Sequence, residues 1–421
     1  MTKIPGFVAT SLAIGLTVGF GLGLWLLLSR VWGITLLGAN WLALVQVHGL
    51  LQLFGFAGLF AMGIALHALP RFRGAAPPPA ALVRIAYLGI VGGLALRAVA
   101  QPTTDLPARS GVLVVGGVLL CVGALSFALA ALRSLATGRN PHRPDELLIG
   151  AGICAIPAAA VLVALEMVGS ASAVVVQSVD DRAIWLMLLG GLCTLIFGVW
   201  ARVAPGFVAS VPATPPLLMF GGGLWILGVL AQVFALAAGP WLLLVGAALL
   251  ARAIGVFGVG IARQPLHGDA RLTRLGVRSA FVWLFVGLAI LAAARLGLAS
   301  SYFQVSAGRH ALALGFVTLM IYAVASRVLP SFTGRRLWSR RLQTLTLAIG
   351  NVAVALRVAA QLMPDGGEQP GAVFNGVAGI LAYGALVLFA ANAVRMWRGA
   401  SSRPVVAGAP VPLELHFTRA R

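Results

Sequence analysis

The chain has 421 residues, 60% of them hydrophobic and 10% charged, and 30 Lys and Arg against 10 Asp and Glu give it a formal net charge of +20. A mean hydropathy of +1.00 excludes a soluble domain, whose surface needs more polar side chains than this sequence holds. The positive balance does not point to nucleic acid, because the basic residues sit at alternate ends of apolar segments and form no arm or groove.

Apolar runs able to cross a bilayer, roughly 20 residues each, fall at 7–29, 41–69, 80–101, 110–135, 147–169, 182–204, 215–237, 239–263, 275–298, 308–329, 342–362 and 371–397. Backbone polar groups in hydrocarbon must be bonded within their own segment, and these runs are too long and too evenly apolar for barrel strands, so twelve transmembrane helices are predicted. The first run ends in Leu28-Ser29-Arg30 with no small-residue cleavage site and reads as a retained helix. Cys121, Cys154 and Cys193 lie singly in separate runs and read as small hydrophobes.

Arginines follow the even-numbered runs: Arg71, Arg73 and Arg84, then Arg133, Arg139 and Arg143, then Arg263, Arg271, Arg274 and Arg278, then Arg335, Arg336, Arg340 and Arg341. The opposite loops hold Arg30, Arg109, Arg182 and Arg309 with Asp105, Asp180, Asp181, Asp365 and Glu368. The positive-inside rule then predicts that both termini are cytoplasmic.

One phrase recurs at the ends of runs 2, 6 and 10: His67-Ala68-Leu69-Pro70-Arg71-Phe72, Arg202-Val203-Ala204-Pro205-Gly206-Phe207 and Arg327-Val328-Leu329-Pro330-Ser331-Phe332. A glycine stands fifteen residues before each proline, at Gly55, Gly190 and Gly315, and an arginine 27 residues after two of them, at Arg97 and Arg357. The period is therefore four helices, which predicts repeats over 1–140, 141–270 and 271–400 with a tail at 401–421, one integrated membrane domain with pseudo-threefold symmetry. The prolines themselves are explained by helix termination at the membrane surface. Arg202, Arg327 and their counterpart His67 are explained by anchoring at that surface, and His67 is also a candidate second metal ligand.

Candidate chemistry is confined to few residues. His48 and His310 start runs 2 and 10, which run in the same direction, so the two imidazoles lie at similar depth on the arginine-poor side. Two such imidazoles suit the opposite axial positions of a haem iron. Arg97 and Arg357, with Gln101 and Gln361 one turn later, lie near that depth and suit the haem carboxylates by fork geometry. The competing reading has His48 bonded to a neighbour such as Gln52 and the arginines paired with Glu166, Asp180 and Asp181. Arg252, placed in the middle of run 8, is a charge with no evident partner. No nucleotide loop, catalytic triad or zinc motif is present.

The stretches VHGLLQLFGFAGLFAMGIALHALPRFR (Val47 to Arg73) and RHALALGFVTLMIYAVASRVLPSFTGRRLW (Arg309 to Trp338) resemble the two signature regions of the NnrS family. That resemblance implies a bacterial inner-membrane protein of the nitric oxide and nitrosative stress response, containing haem and copper. The organisation also resembles the large subunit of haem-copper oxidases and nitric oxide reductases, with twelve helices in three arcs of four. There, histidines of helices 2 and 10 hold the low-spin haem, which would make His48 and His310 the ligands of a haem b. Runs 6 and 7 here hold no histidine, so the resemblance implies at most one haem site, no reduction centre and few ligands for copper. The expected function is nitric oxide handling or quinol-linked electron transfer, with a respiratory redox partner. The alternatives are a transporter or channel for a small anion without haem, and an assembly partner of a respiratory complex.

Overall fold

The computed structural model describes residues 4–34, 40–168, 172–258, 268–299, 301–363 and 370–398. Arg263, His267, Asp365, Glu368 and His416 lie outside the described residues, as does the tail. Among the described residues there is no strand, and twelve helices follow one another: α1 (Gly6–Val31), α2 (Trp41–Arg73), α3 (Ala80–Ala100), α4 (Arg109–Ala136), α5 (Asp145–Glu166), α6 (Gln177–Val208), α7 (Pro215–Val233), α8 (Gly239–Ile254), α9 (Gly268–Arg295), α10 (Tyr302–Ser331), α11 (Arg340–Leu362) and α12 (Gly371–Arg398). Eleven are long and apolar enough to span a bilayer, and α8 is shorter. This is a multi-pass membrane protein in contact with lipid.

The arrangement repeats every four helices. In each group the third and fourth helices form a close hairpin (α3 with α4, α7 with α8, α11 with α12), and the first packs on the second. The fourth helix of each group lies against the first of the next, and α12 returns to α1, which closes the ring. Helices α2, α6 and α10 occupy its centre: 72%, 78% and 78% of their most apolar windows are buried, against 28–50% for the other spans. Small residues permit the hairpins. A Cβ on Gly123 of α4 would come within 2.5 Å of the Ile90 backbone nitrogen on α3. In hydrocarbon, such backbone proximity replaces the hydrophobic drive that water would supply.

The three central helices share a local irregularity that extends the sequence repeat. Each contains a π-helical segment, Leu51–Gly58, Leu186–Cys193 and Ala311–Thr318, beginning 19 residues before Pro70, Pro205 and Pro330. These segments touch one another pairwise at the centre. The prolines do not end their helices, contrary to the sequence expectation. Each helix continues past its proline and stops at a left-handed residue four positions on: Gly74 (φ 61°), Ala209 (φ 49°) and Gly334 (φ 67°). A proline in the last turn forgoes only one intrahelical bond, and the left-handed residue supplies the actual stop.

Several helix ends differ from expectation, with consequences for charged residues. Helix α8 stops at Ile254 because Gly255 takes φ +70° and closes a Schellman turn, with Val256 N–H donating to the Ala251 carbonyl at 3.1 Å. Arg252 therefore lies exposed in the last turn of α8, where its charge complements the negative end of the helix dipole, and not in the middle of the helix. Helix α6 begins at Gln177, which draws Asp180, Asp181 and Arg182 from the expected loop into a helix. Helix α10 begins at Tyr302 because Ser301 and Gln304 form a reciprocal capping box, which brings Arg309 onto the helix. Arg109, expected in a loop, is buried and donates to the carbonyls of Ala100, Gln101 and Ser172.

Candidate cofactor cavity

Between α1, α2, α6, α10, α11 and α12, on the arginine-poor side, lies a cavity whose empty volume, its open mouth included, is about 1230 Å³. Its lining is mostly apolar with a few polar groups, the usual composition of a site for a large organic ligand. His48, His310 and Arg357 all line it. The two histidines stand at different positions of the repeat: His48 is 22 residues before Pro70, and His310 is 20 before Pro330. Two residues of helix amount to about 3 Å of axial rise, so similar depth survives.

Both imidazoles are fixed the same way. His48 Nδ1 lies 3.0 Å from the Gly19 carbonyl, and His310 Nδ1 lies 2.8 Å from the Ser306 carbonyl. An imidazole that donates from Nδ1 to a carbonyl carries its lone pair on Nε2, the arrangement that prepares a histidine for iron. Gly23 on α1 is essential to that placement, since a Cβ there would come within 2.5 Å of His48 Cε1. The ring therefore lies against bare backbone of α1 and has little freedom to turn.

Arg357 lies beside His310, with Nη2 3.3 Å from His310 Nε2 and Nη1 donating to Asn375 Oδ1 at 2.9 Å. Among the described residues no carboxylate forms an ion pair with it. A guanidinium at a largely apolar cavity, held by an amide and facing an imidazole lone pair, suits an incoming carboxylate. The residues present fit a haem: two imidazoles, each with Nδ1 at a main-chain carbonyl, line one cavity, and Arg357, whose Nη2 now lies at His310 Nε2, is a cation for a propionate.

The remaining candidates lie elsewhere. Arg97 does not line the cavity. It is buried in an ion pair with Glu166, Nη2 to Oε2 at 3.1 Å, and donates from Nε to Gln101 Oε1 at 2.7 Å. Gln101 in turn donates to Gln46 Oε1 and the Ala173 carbonyl. This network ties α3 to α2, α5 and the segment before α6, so the competing reading of Arg97 describes its surroundings. Gln361 is also off the cavity wall, but donates to Ser306 Oγ at 3.2 Å and so supports the turn that holds His310. His67 does not line the cavity, and no group of three or more His, Cys, Asp or Glu that would hold a metal is present among the described residues. Arg202 meets Asp145 and Glu146 and donates to the Phe72 carbonyl, a tie between the first two repeats.

Asp180, Tyr302 and Arg309 also line the cavity, and sequence reasoning assigned none of them to it. Arg309 pairs with Asp181 and lies 5.2 Å from the Trp185 ring centroid, which joins α10 to α6 beside the cavity. The signal was their shared position at the starts of α6 and α10, hidden by placing those starts several residues too late.

A family model described as NnrS protein matches residues 6–400. The chain belongs to the NnrS family. A comparison with functionally described proteins finds no match. Among solved structures, a haem-copper terminal oxidase dimer determined by cryo-EM is similar in fold, with a TM-score of 0.72 at 14% identity. The match covers 96% of this chain and 85% of that one. The NnrS chain therefore has the haem-copper oxidase fold, with three four-helix arcs around α2, α6 and α10.

Proposed function

We propose that this NnrS protein binds one haem b between α2 and α10, which His48 and His310 would hold through the iron and Arg357 through a propionate, and acts in the bacterial inner membrane in nitric oxide defence. The carrying observation is the pair of imidazoles facing one cavity with both Nδ1 atoms engaged by main-chain carbonyls. Family membership and the fold support the same reading. A bound haem would supply one-electron transfer or a site for nitric oxide. The protein's part is to hold both imidazoles in one tautomer, neutralise a propionate and keep the space largely apolar. A quinol or a respiratory redox partner is the proposed electron source, and both termini are proposed to be cytoplasmic.

The test is the optical spectrum of the purified protein, reduced minus oxidised, with and without nitric oxide. A bis-histidine b-type spectrum is expected, lost in the His48→Ala/His310→Ala variant. Absence of a Soret band after expression with haem supply, or its persistence in that variant, overturns the assignment. Copper is proposed only on the family resemblance, and metal analysis of the same sample decides it. The second reading, an anion carrier, draws on Arg357 and Arg309 at one cavity; it expects anion uptake into proteoliposomes by protein without haem.

A further inference from the structure

A second concavity lies at the arginine-rich end of the first repeat. It is bounded on one side by Pro77, Pro78 and Pro79 of the α2–α3 connection and on the other by Arg133 and Ser134 of α4 and by Thr137 and Arg139 just after it. Three consecutive prolines form a wall with fixed backbone angles. The two sides are tied together beside it: buried Arg73, at the end of α2, donates to the carbonyls of Leu135, Gly138 and Asn140, and Asn140 donates back to the Phe72 carbonyl. The α2–α3 and α4–α5 connections are therefore one rigid unit.

The two arginines that open into it are not used by the fold. Arg133 and Arg139 are exposed, and among the described residues neither makes an ion pair or hydrogen bond through its guanidinium. The carboxylates closest in sequence are occupied: Asp145 by Arg143 and Arg202, and Glu146 by Arg73, Arg202 and His142. Helix α3 starts at Ala80, directly after the proline wall, and its N-cap Pro79 offers no side chain to its first N–H groups. Those N–H groups and the positive end of the helix dipole add to the field at the cleft. Two unpaired guanidinium groups thus stand at a rigid cleft beside the ends of α2 and α4 and the uncapped start of α3, while the Ser134 and Thr137 hydroxyls donate to the Ala130 and Arg133 carbonyls of α4.

We infer that this cleft binds a phosphate-bearing anion, and that the phosphate is the headgroup of an anionic phospholipid seated at the membrane boundary. Two arginines suit a phosphodiester because each can bond two of its oxygens. The place matches the pattern in which basic pockets between helix ends select anionic headgroups. This inference is independent of the haem assignment.

The test uses the full chain, purified and delipidated in neutral detergent, with thermal unfolding and native mass spectrometry as readouts. Phosphatidylglycerol, phosphatidylcholine and inorganic phosphate are added in separate arms. Phosphatidylglycerol is expected to raise the midpoint and remain bound, phosphatidylcholine to do neither, and Arg133→Gln/Arg139→Gln to lower phosphatidylglycerol retention by roughly tenfold or more, at about 1 kcal/mol per basic residue. An equal response to inorganic phosphate alone, with no added effect of lipid, overturns the lipid source and keeps the phosphate site. Arg271→Gln/Arg341→Gln removes the same charge from exposed positions of the third repeat at the same membrane face and should leave retention unchanged. If it reduces retention as much as the cleft variant, or if neither does, the site does not exist. Circular dichroism of each variant, and recovery by Arg133→Lys/Arg139→Lys, separate loss of binding from loss of fold.

Discussion

Removing the charge of Glu166 should destabilise the protein severely, and removing Arg97 as well should restore much of the loss. Both side chains are buried, at 1% and 0% exposure, and meet at 3.1 Å. At that separation and an effective dielectric constant near 20, the attraction is about 5 kcal/mol. Glu166→Gln keeps the shape and one hydrogen bond, returning about 1–2 kcal/mol. It leaves Arg97 held mainly by Gln101 Oε1, with Nη1 already lacking a hydrogen-bond partner. A net cost of about 3–4 kcal/mol follows, the range found when one member of a buried pair is removed. Arg97→Met in the same chain withdraws the stranded cation, so the double variant should recover about 2 kcal/mol or more. The assay is unfolding in mixed micelles with increasing SDS, followed by tryptophan fluorescence, for the four members of the cycle. A Glu166→Gln cost below about 1 kcal/mol, or a double variant no better than the single one, refutes the buried pair as a coupled unit. The same samples test the placement of Arg97: with the haem at α2 and α10, a folded double variant retains its Soret band.

Gly23→Ala places a Cβ within contact-forbidden range of His48 Cε1, so the imidazole must move away from the Gly19 carbonyl; the expected result is haem content reduced severalfold with the fold kept, read as the Soret to protein absorbance ratio. Gly123→Ala forces α4 away from the α3 backbone at Ile90 and should cost about 1–3 kcal/mol in the same SDS titration, with haem content unchanged.

Much of the architecture was legible because a membrane restricts the choice. Hydropathy alone yields twelve helices once strands are excluded, and the phrase around Pro70, Pro205 and Pro330 marks the four-helix period that the ring of contacts displays. What escaped were the ends. Asp180 and Arg309 were set in loops because polar residues at a membrane surface end an apolar run, while a helix is free to project beyond hydrocarbon when capped, as Ser301 and Gln304 cap α10. Arg252 appeared stranded because an apolar run continues past Gly255, where the backbone turns left-handed and the helix stops. Arg97 and Arg357 looked alike because they share a register. Their surroundings differ because Glu166 of α5 reaches Arg97, whereas Arg357 faces the cavity.

The same distinction between register and surroundings bears on how two of the three repeats supply the histidines of one cavity. Helices related by a rotation about a central axis meet through unlike faces: the side that α2 turns toward α10 is not the side that α10 turns toward α2. Two ligands converging on a space between them therefore cannot stand at equivalent positions. His48 and His310 are two residues out of equivalence, so Gly308 stands where His48 would be and Leu50 where His310 would be. Two residues turn a helix by about 200°, which moves a side chain to nearly the opposite face while shifting it only about 3 Å along the axis. That offset lets both imidazoles face one cavity at one depth. In α6 the corresponding positions are Ala183 and Trp185, neither of which lines the cavity, and the Trp185 ring instead lies against the Arg309 guanidinium. The middle repeat thus leaves the histidines of that space to the first and third repeats.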